Sequence, residues 1–376
     1  MDISSSANAV APLTQEVDTR NAKLPSCLVN SLRSELQGHI LSYLRKYDRL
    51  AITATCRNLA VFRADAKRWS ANFKLYVRPK TKEELGQTVV RIGCQTQIAL
   101  KIPIELNLSK IHPSIPELQD IISSNSQFSN RIETLICALQ GMIEEAFECF
   151  QRLPNLKTLN VSQLDLASFH LLLACKHLNS LTTIDFSYKR IGDKGVSSFA
   201  QSVAFPVLSD LNLCGNRIGA IGVRAIAQSM HLRSLTNLDL SWNYLGSNEA
   251  IVLAGSEHLT SLTGLNLKRN RICNVGVIAL TLSEHFKKLT ALNLSWNKID
   301  AGGAIALAGS NHFHALTHLN LSNNAIGSFG VIALTQSHSL VYLSSLNLNQ
   351  CSVRSDTLNA WRRQHVHINE QGGADT

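Results

Sequence analysis

From Leu181 onward the apolar residues fall into one recurring pattern. A leucine is followed by a second three positions on and a third two beyond that, and then by polar residues and a run of small and apolar ones. After a looser start at Leu181, the leading leucine returns every 27 residues at Leu208, Leu235, Leu262, Leu289, Leu316 and Leu343. In the unit beginning at Leu289, Leu292 and Leu294 alternate with outward positions, as on one face of a short β-strand. Past Asn297 and Ile299 the periodicity becomes helical, through Gly303, Ala306 and Leu307, and Ser310 closes the run. A unit of this size cannot bury its apolar face alone and must stack on its neighbours. The pattern therefore predicts a solenoid of alternating strands and helices.

The polar positions repeat as faithfully. Asn216, Asn243, Asn270, Asn297 and Asn324 recur where the chain leaves each strand, and Cys351 takes that place in the last unit. An amide there can satisfy backbone groups of the neighbouring turn, so a ladder along the stack is expected. Gly222, Gly276, Gly303 and Gly330 mark the approach to each helix, and pairs such as Ala225 with Ile226, Ala279 with Leu280 and Ala333 with Leu334 are expected to form its inner face. Looser units run from Leu156 to Ser180 and from Ile132, and Leu106 with Leu108 fit the strand of a weaker one. The unit resembles the leucine-rich repeat of the ribonuclease-inhibitor subclass, which the Ran GTPase-activating protein also uses, and the resemblance covers residues 130–353. It implies an α/β fold: a curved array with parallel strands on its concave face, helices outside, and an extended concave surface for binding.

Two outward columns carry different information. Asn160, Asp185, Asn212, Asp239, Asn266, Asn293, Asn320 and Asn347 are nearly uniform, and uniformity points to a structural ladder. Beside the strand exit, Gln163, Tyr188, Gly215, Trp242, Arg269, Trp296, Asn323 and Gln350 vary. Trp, Tyr and Arg dominate binding hot spots, so Tyr188, Trp242, Lys268, Arg269 and Trp296 are the expected target-binding residues. The alternative is that each Trp folds over its neighbours and packs on the strand. A third column, His231, His258, His285 and His312, falls in the turn after each helix, where solvation or helix-end capping is expected. No Cys or carboxylate shares its ligand set, so no metal site is expected.

The net charge of +9 is concentrated near the N-terminus: from Arg33 to Arg91, 13 Lys or Arg face 5 Asp or Glu. Nucleic-acid binding would ask for aromatic platforms or a groove-reading motif among those charges, and neither is present, so an acidic protein partner is favoured. In the same region Leu36, Ile40 and Leu44 form one helical stripe, Ser34 and Asp48 can start two helices, and Trp69 closes the segment. Leu32, Ile40, Leu41, Ser42, Tyr43, Leu44, Asp48, Leu50, Cys56, Arg57 and Trp69 resemble an F-box, with Arg33 where that family has proline. The resemblance implies binding to the Skp adaptor of a cullin-type ubiquitin ligase through Leu32, Leu36, Ile40, Leu41, Leu44, Leu50, Cys56 and Trp69. An F-box followed by repeats is similar to ubiquitin-ligase substrate receptors, and most of all to bacterial GALA-type F-box effectors that act inside host cells.

The expected organisation is a leader at 1–24, an F-box-like domain at 25–72, a linker or degenerate repeats at 73–130, the repeats at 131–353 and a cap and tail at 354–376. The Ser-rich leader resembles a type III translocation signal and lacks the basic start and apolar stretch of an export signal. No apolar run reaches the roughly 20 residues that span a bilayer, so no membrane role is expected. Nine cysteines without CxxC spacing read as reduced core thiols, which places the chain in a cytoplasm, that of a host on the effector resemblance. No nucleophile elbow, phosphate loop, metal motif or acidic pair is present, so a non-catalytic protein without a cofactor is expected. Two alternatives stand beside the ligase receptor. One is a small-GTPase regulator of the Ran GTPase-activating type, whose acidic tail has no counterpart after Trp361; the other is a repeat-only protein inhibitor, which leaves the N-terminal helices without a role.

Overall fold

The protein's computed structural model describes residues 75–79, 104–108, 122, 129–138, 150, 152–175 and 177–353. All fall in the unit Ser70–Thr376, so the expected adaptor-docking residues Leu32, Leu36, Ile40, Leu41, Leu44, Leu50, Cys56 and Trp69 lie outside the described residues. Among the described residues eleven strands form one parallel sheet in strict sequence order. They are β1 (Leu75–Val77), β2 (Ile104–Asn107), β3 (Ile132–Ala138), β4 (Thr158–Gln163), β5 (Thr183–Asp185), β6 (Asp210–Asn212), β7 (Asn237–Asp239), β8 (Gly264–Asn266), β9 (Ala291–Asn293), β10 (His318–Asn320) and β11 (Ser345–Asn347). Between them run α1 (Leu166–Ala174), α2 (Gly192–Gln201), α3 (Ala220–Ala227), α4 (Ser247–Ala254), α5 (Cys273–Leu282), α6 (Ala301–Ala308) and α7 (Gly327–Thr335), each packed on the helix of the adjoining repeat. The α/β leucine-rich-repeat solenoid is what the leucine period requires.

Register follows the period. Ile184, Leu211, Leu238, Leu265, Leu292, Leu319 and Leu346 pair in turn from β5 to β11, and every one is buried. The looser units obey the same rule: Leu106 pairs with Leu135 and Leu135 with Leu159, all fully buried. Register shifts interrupt only β2–β3, at Ile104/Glu105, and β3–β4, at Cys137/Ala138, where the repeat length is irregular. Beyond β4, from α1 to the turn before β6, aromatic side chains fill the core. Phe169, Phe186 and Phe199 meet edge to face at 5.5 and 5.8 Å, and Phe205 stacks on Phe199 at 5.4 Å.

The helices differ from expectation in one respect. The inner face of α5 is Gly276, Val277, Leu280 and Thr281, a stripe at i, i+1, i+4 and i+5, and Ala279, half-buried, stands at its edge. The equivalent residues of α3 are Gly222, Val223, Ile226 and Ala227. The glycines lie inside the helices and set how close neighbouring repeats can approach: a Cβ on Gly276 would stand 2.9 Å from the Ala250 Cβ and 2.6 Å from Ile272 Cγ2.

Three side-chain ladders tie repeat to repeat. In the asparagine ladder, Asn270 Nδ2 donates to the carbonyls of Leu240 and Leu267 at 3.0 and 2.9 Å, and Oδ1 accepts the N–H groups of Asn243 and Leu245 at 3.2 and 2.8 Å. Asn216, Asn243, Asn297 and Asn324 repeat this role, all buried. At one end Lys189 holds the position, with Nζ donating to Ser187 O; at the other, Cys351 Sγ donates to Leu321 O at 3.1 Å. Two further ladders were not anticipated. Ser229, Ser256, Ser283, Ser310 and Ser337 donate to carbonyls of the preceding helix end, and Thr236, Thr263, Thr290 and Thr317 donate to the carbonyl of the same column one repeat back.

Two outcomes are expected. Asn270→Ala orphans the N–H groups of Asn243 and Leu245, while the carbonyls of Leu240 and Leu267 keep Asn243 and Asn297 as donors, and at ~1–3 kcal/mol per orphaned group it should cost about 2–6 kcal/mol in equilibrium chemical unfolding. A loss below about 1 kcal/mol would remove the ladder from the fold's main supports. Burial holds the Cys351 thiol at about 11, above its ordinary 9.0. The folded protein thus keeps a proton that the unfolded chain releases first, and the stability tied to this group is complete below pH 9.0 and falls away as pH rises to about 11. Cys351→Asn supplies the same donor without a titrating group, so its melting temperature should fall less than wild type's across that window. Parallel alkaline curves for the two proteins would refute it.

Candidate protein-interaction surface at the strand exits

Each strand from β5 to β11 ends in the same turn. Asn293 Oδ1 accepts the N–H of Ser295 at 3.0 Å, and Asp185, Asn212, Asp239, Asn266, Asn320 and Asn347 make the equivalent bond two residues on. The side chain stands in for a backbone carbonyl and stops the strand. Within the column, Asn160 Nδ2 also donates to Asp185 Oδ2 and Asn266 Nδ2 to Asp239 Oδ2. The uniform column thus has a structural task.

The residue that follows this turn is left-handed in every repeat from β5 to β11. Its φ is 59° at Tyr188, 66° at Gly215, 58° at Trp242, 57° at Arg269, 59° at Trp296, 57° at Asn323 and 56° at Gln350. Its N–H is spent on the next repeat, as in Trp242 N–H to Lys268 O at 2.9 Å and Arg269 N–H to Ser295 O at 2.8 Å. Glycine and asparagine adopt this conformation readily. Residues with larger side chains pay roughly 1–2 kcal/mol for it, a strain characteristic of functional positions. Tyr, Trp, Arg and Gln thus occupy places where the fold alone would prefer Gly or Asn.

The side chains of this column form a stack. The Arg269 guanidinium lies 3.8 Å from the centre of the Trp242 ring and 4.7 Å from that of Trp296, sandwiched between two π faces. One repeat before Trp242, the Tyr188 ring lies across Gly215, where any Cβ would collide with it. Its hydroxyl is pushed up to about 12, chiefly by the hydrogen bond to Cys214, and stays neutral. Tyr188 and Trp296 remain 61% and 41% exposed, so the stack offers aromatic surface to a partner. Lys268 lies apart from it, on the strand face, with Asn266 and Asp239. Of the five residues expected to bind a target, the structure joins Trp242, Arg269 and Trp296 directly.

A second column is exposed two residues further on: Arg190, Arg217, Tyr244, Arg271 and Lys298. All but Arg271 are again left-handed, with φ between 56° and 62°. Arg271 lies over the Tyr244 ring at 5.6 Å. Sequence reading stopped at the first column, although the same period read two positions later marks this one. A groove of about 550 Å³ opens between the columns, with Tyr244, Arg269, Arg271, Trp296 and Lys298 in its wall. The histidine column serves its own turn: the N–H groups of His258, His285 and His312 donate to Ser256, Ser283 and Ser310. Among the described residues no group of three or more His, Cys, Asp or Glu is placed to hold a metal ion, and no helix is long and apolar enough to cross a membrane.

Position 296 separates surface from packing. Trp296→Asn gives up the stack on Arg269, worth about 0.5–1 kcal/mol, but relieves a left-handed cost of roughly 1–2 kcal/mol. Its unfolding free energy should therefore stay within about 1 kcal/mol of wild type and exceed that of Trp296→Ala. A loss above about 2 kcal/mol in the Asn variant would make Trp296 a packing residue.

One family model matches segments of this scaffold. The family described as Leucine Rich repeat matches residues 177–200, 258–280, 287–308 and 314–334. No curated protein matches the chain. Among solved structures, an internalin from Listeria monocytogenes is similar at 18% identity over 74% of this chain and 82% of its own, with a TM-score of 0.39. The matched segments are leucine-rich repeats, a scaffold suited to protein–protein interaction.

Proposed function

We propose that the chain captures a protein target on the strand-exit columns of its repeats and presents it to a ubiquitin ligase. One observation carries the capture: Tyr188, Trp242, Arg269 and Trp296 hold left-handed backbone that the fold would fill more cheaply with Gly or Asn, and they present hot-spot side chains there. The F-box-like residues Leu32 to Trp69 support the second half, in which the apolar side chains of Leu36, Ile40, Leu41 and Leu44 dock on the Skp adaptor of a cullin-type ligase. The basic segment around them favours an acidic adaptor through long-range steering. Ubiquitin transfer falls to the bound partners, and this chain is the non-catalytic recognition subunit. The buried thiols of Cys214 and Cys351 suit a reducing cytoplasm, and on the resemblance to GALA-type effectors that cytoplasm is a host's.

Copurification of the full chain with a Skp adaptor tests the ligase half. Wild type should retain the adaptor, and Ile40→Asp or Leu44→Asp should release it, since a charge buried without a partner in an apolar contact costs several kcal/mol. Failure of wild type to retain the adaptor, or equal retention by either variant, would end the ligase reading and leave a protein-binding repeat array.

A further inference from the structure

We infer that the strand-exit groove receives an acidic segment of the target protein, with Arg269, Arg271 and Lys298 holding its carboxylates. The inference rests on the reading that the repeats capture a protein, and it adds the chemistry of what they capture. These three cations line a groove of about 550 Å³ whose wall holds no carboxylate. Among the described residues none of the three has an ion-pair partner within 4.0 Å. Aromatic faces lie against two of them: Trp242 and Trp296 against Arg269, and Tyr244 against Arg271.

The sandwich also prepares Arg269 for its ligand. With a ring on each face, the guanidinium keeps its planar edge of N–H donors, the fork that meets a carboxylate in two parallel hydrogen bonds. Its rotamer freedom is lost before binding, which lowers the entropy cost of capture. Further along the groove, Asn323 and Gln350 supply amides that can pair with the backbone of an extended peptide.

An oligonucleotide is the competing anion, and the surroundings disfavour it. Its phosphates would pass the adjoining strand face, which carries Asp185, Asp210 and Asp239. The indole faces turned toward Arg269 are not open to base stacking. A protein segment needs to be acidic only where it meets the groove.

Fluorescence anisotropy of the full chain with a labelled decapeptide carrying three central glutamates between glycine and serine flanks tests the inference. Wild type should bind, Arg271→Ala/Lys298→Ala should weaken binding about tenfold, and Arg269→Lys, which keeps the charge but loses the fork, should weaken it too. Lys287→Ala/Lys288→Ala removes the same charge from the exposed turn after α5 and should change binding less than about twofold. A thymidine decanucleotide should bind more weakly than the peptide. No binding of the peptide by wild type, an equal loss in the two double variants, or tighter binding of the oligonucleotide would each overturn the inference. A chain that binds the peptide but retains no Skp adaptor keeps this inference and loses the ligase reading.

Discussion

Everything in this solenoid depends on how the backbone is satisfied where a strand ends. A strand of three residues makes few sheet hydrogen bonds, and the turn that follows carries buried N–H and C=O groups that neither sheet nor helix reaches. Asn216, Asn243, Asn270, Asn297 and Asn324 meet that need, each answering donors and acceptors of its own and the preceding repeat. Hydrophobic burial supplies the driving force, but leucine burial alone would allow neighbouring repeats to slide. The amide contacts fix the spacing, and the serine and threonine ladders fix it again at two other places on the unit.

The turn built around these contacts decides what the surface can display. Because the Asx bond ends the strand and the next N–H belongs to the adjoining repeat, the following residue is left-handed whatever its identity. Its side chain then does nothing for the backbone. That independence is what allows Gly215, Trp242, Arg269 and Asn323 to occupy equivalent places without disturbing register from β6 to β10.

Much of this was legible in the chain. The leucine column and the asparagine ladder could be read because each residue recurs at every turn of the period, and Leu106 with Leu108 marked a strand even where the period fails. β1, formed by Leu75–Val77, carries no such pattern and is recognised only through its pairing with Ile104–Leu106. The helix interior was misread at Ala279 because small residues mark close approach without telling which side approaches. Gly276 and Val277 do the packing, and the alanine flanks them. The serine and threonine ladders were equally periodic, but hydroxyl side chains are common on exposed turns and their partners become apparent only in three dimensions. At the site, the first column was legible as the place where the period breaks. The Trp–Arg–Trp sandwich and the second cationic column were not, because stacking between repeats depends on left-handed geometry that no single unit announces.

The interchangeability of the ladder residues has a genetic consequence. The repeats that carry the ladder asparagine are equivalent at their joins, since the asparagine of one fits the turn of the next without regard to which one it is. Unequal exchange between the matching segments would add or remove a whole unit and leave a stable protein. It would not leave the same recognition surface, because the stack requires Trp242, Arg269 and Trp296 in consecutive units. Among these units the ladder is indifferent to order, whereas the binding surface is written in that order, so a gene of this kind can acquire new partners by rearrangement without having to pass through an unfolded intermediate.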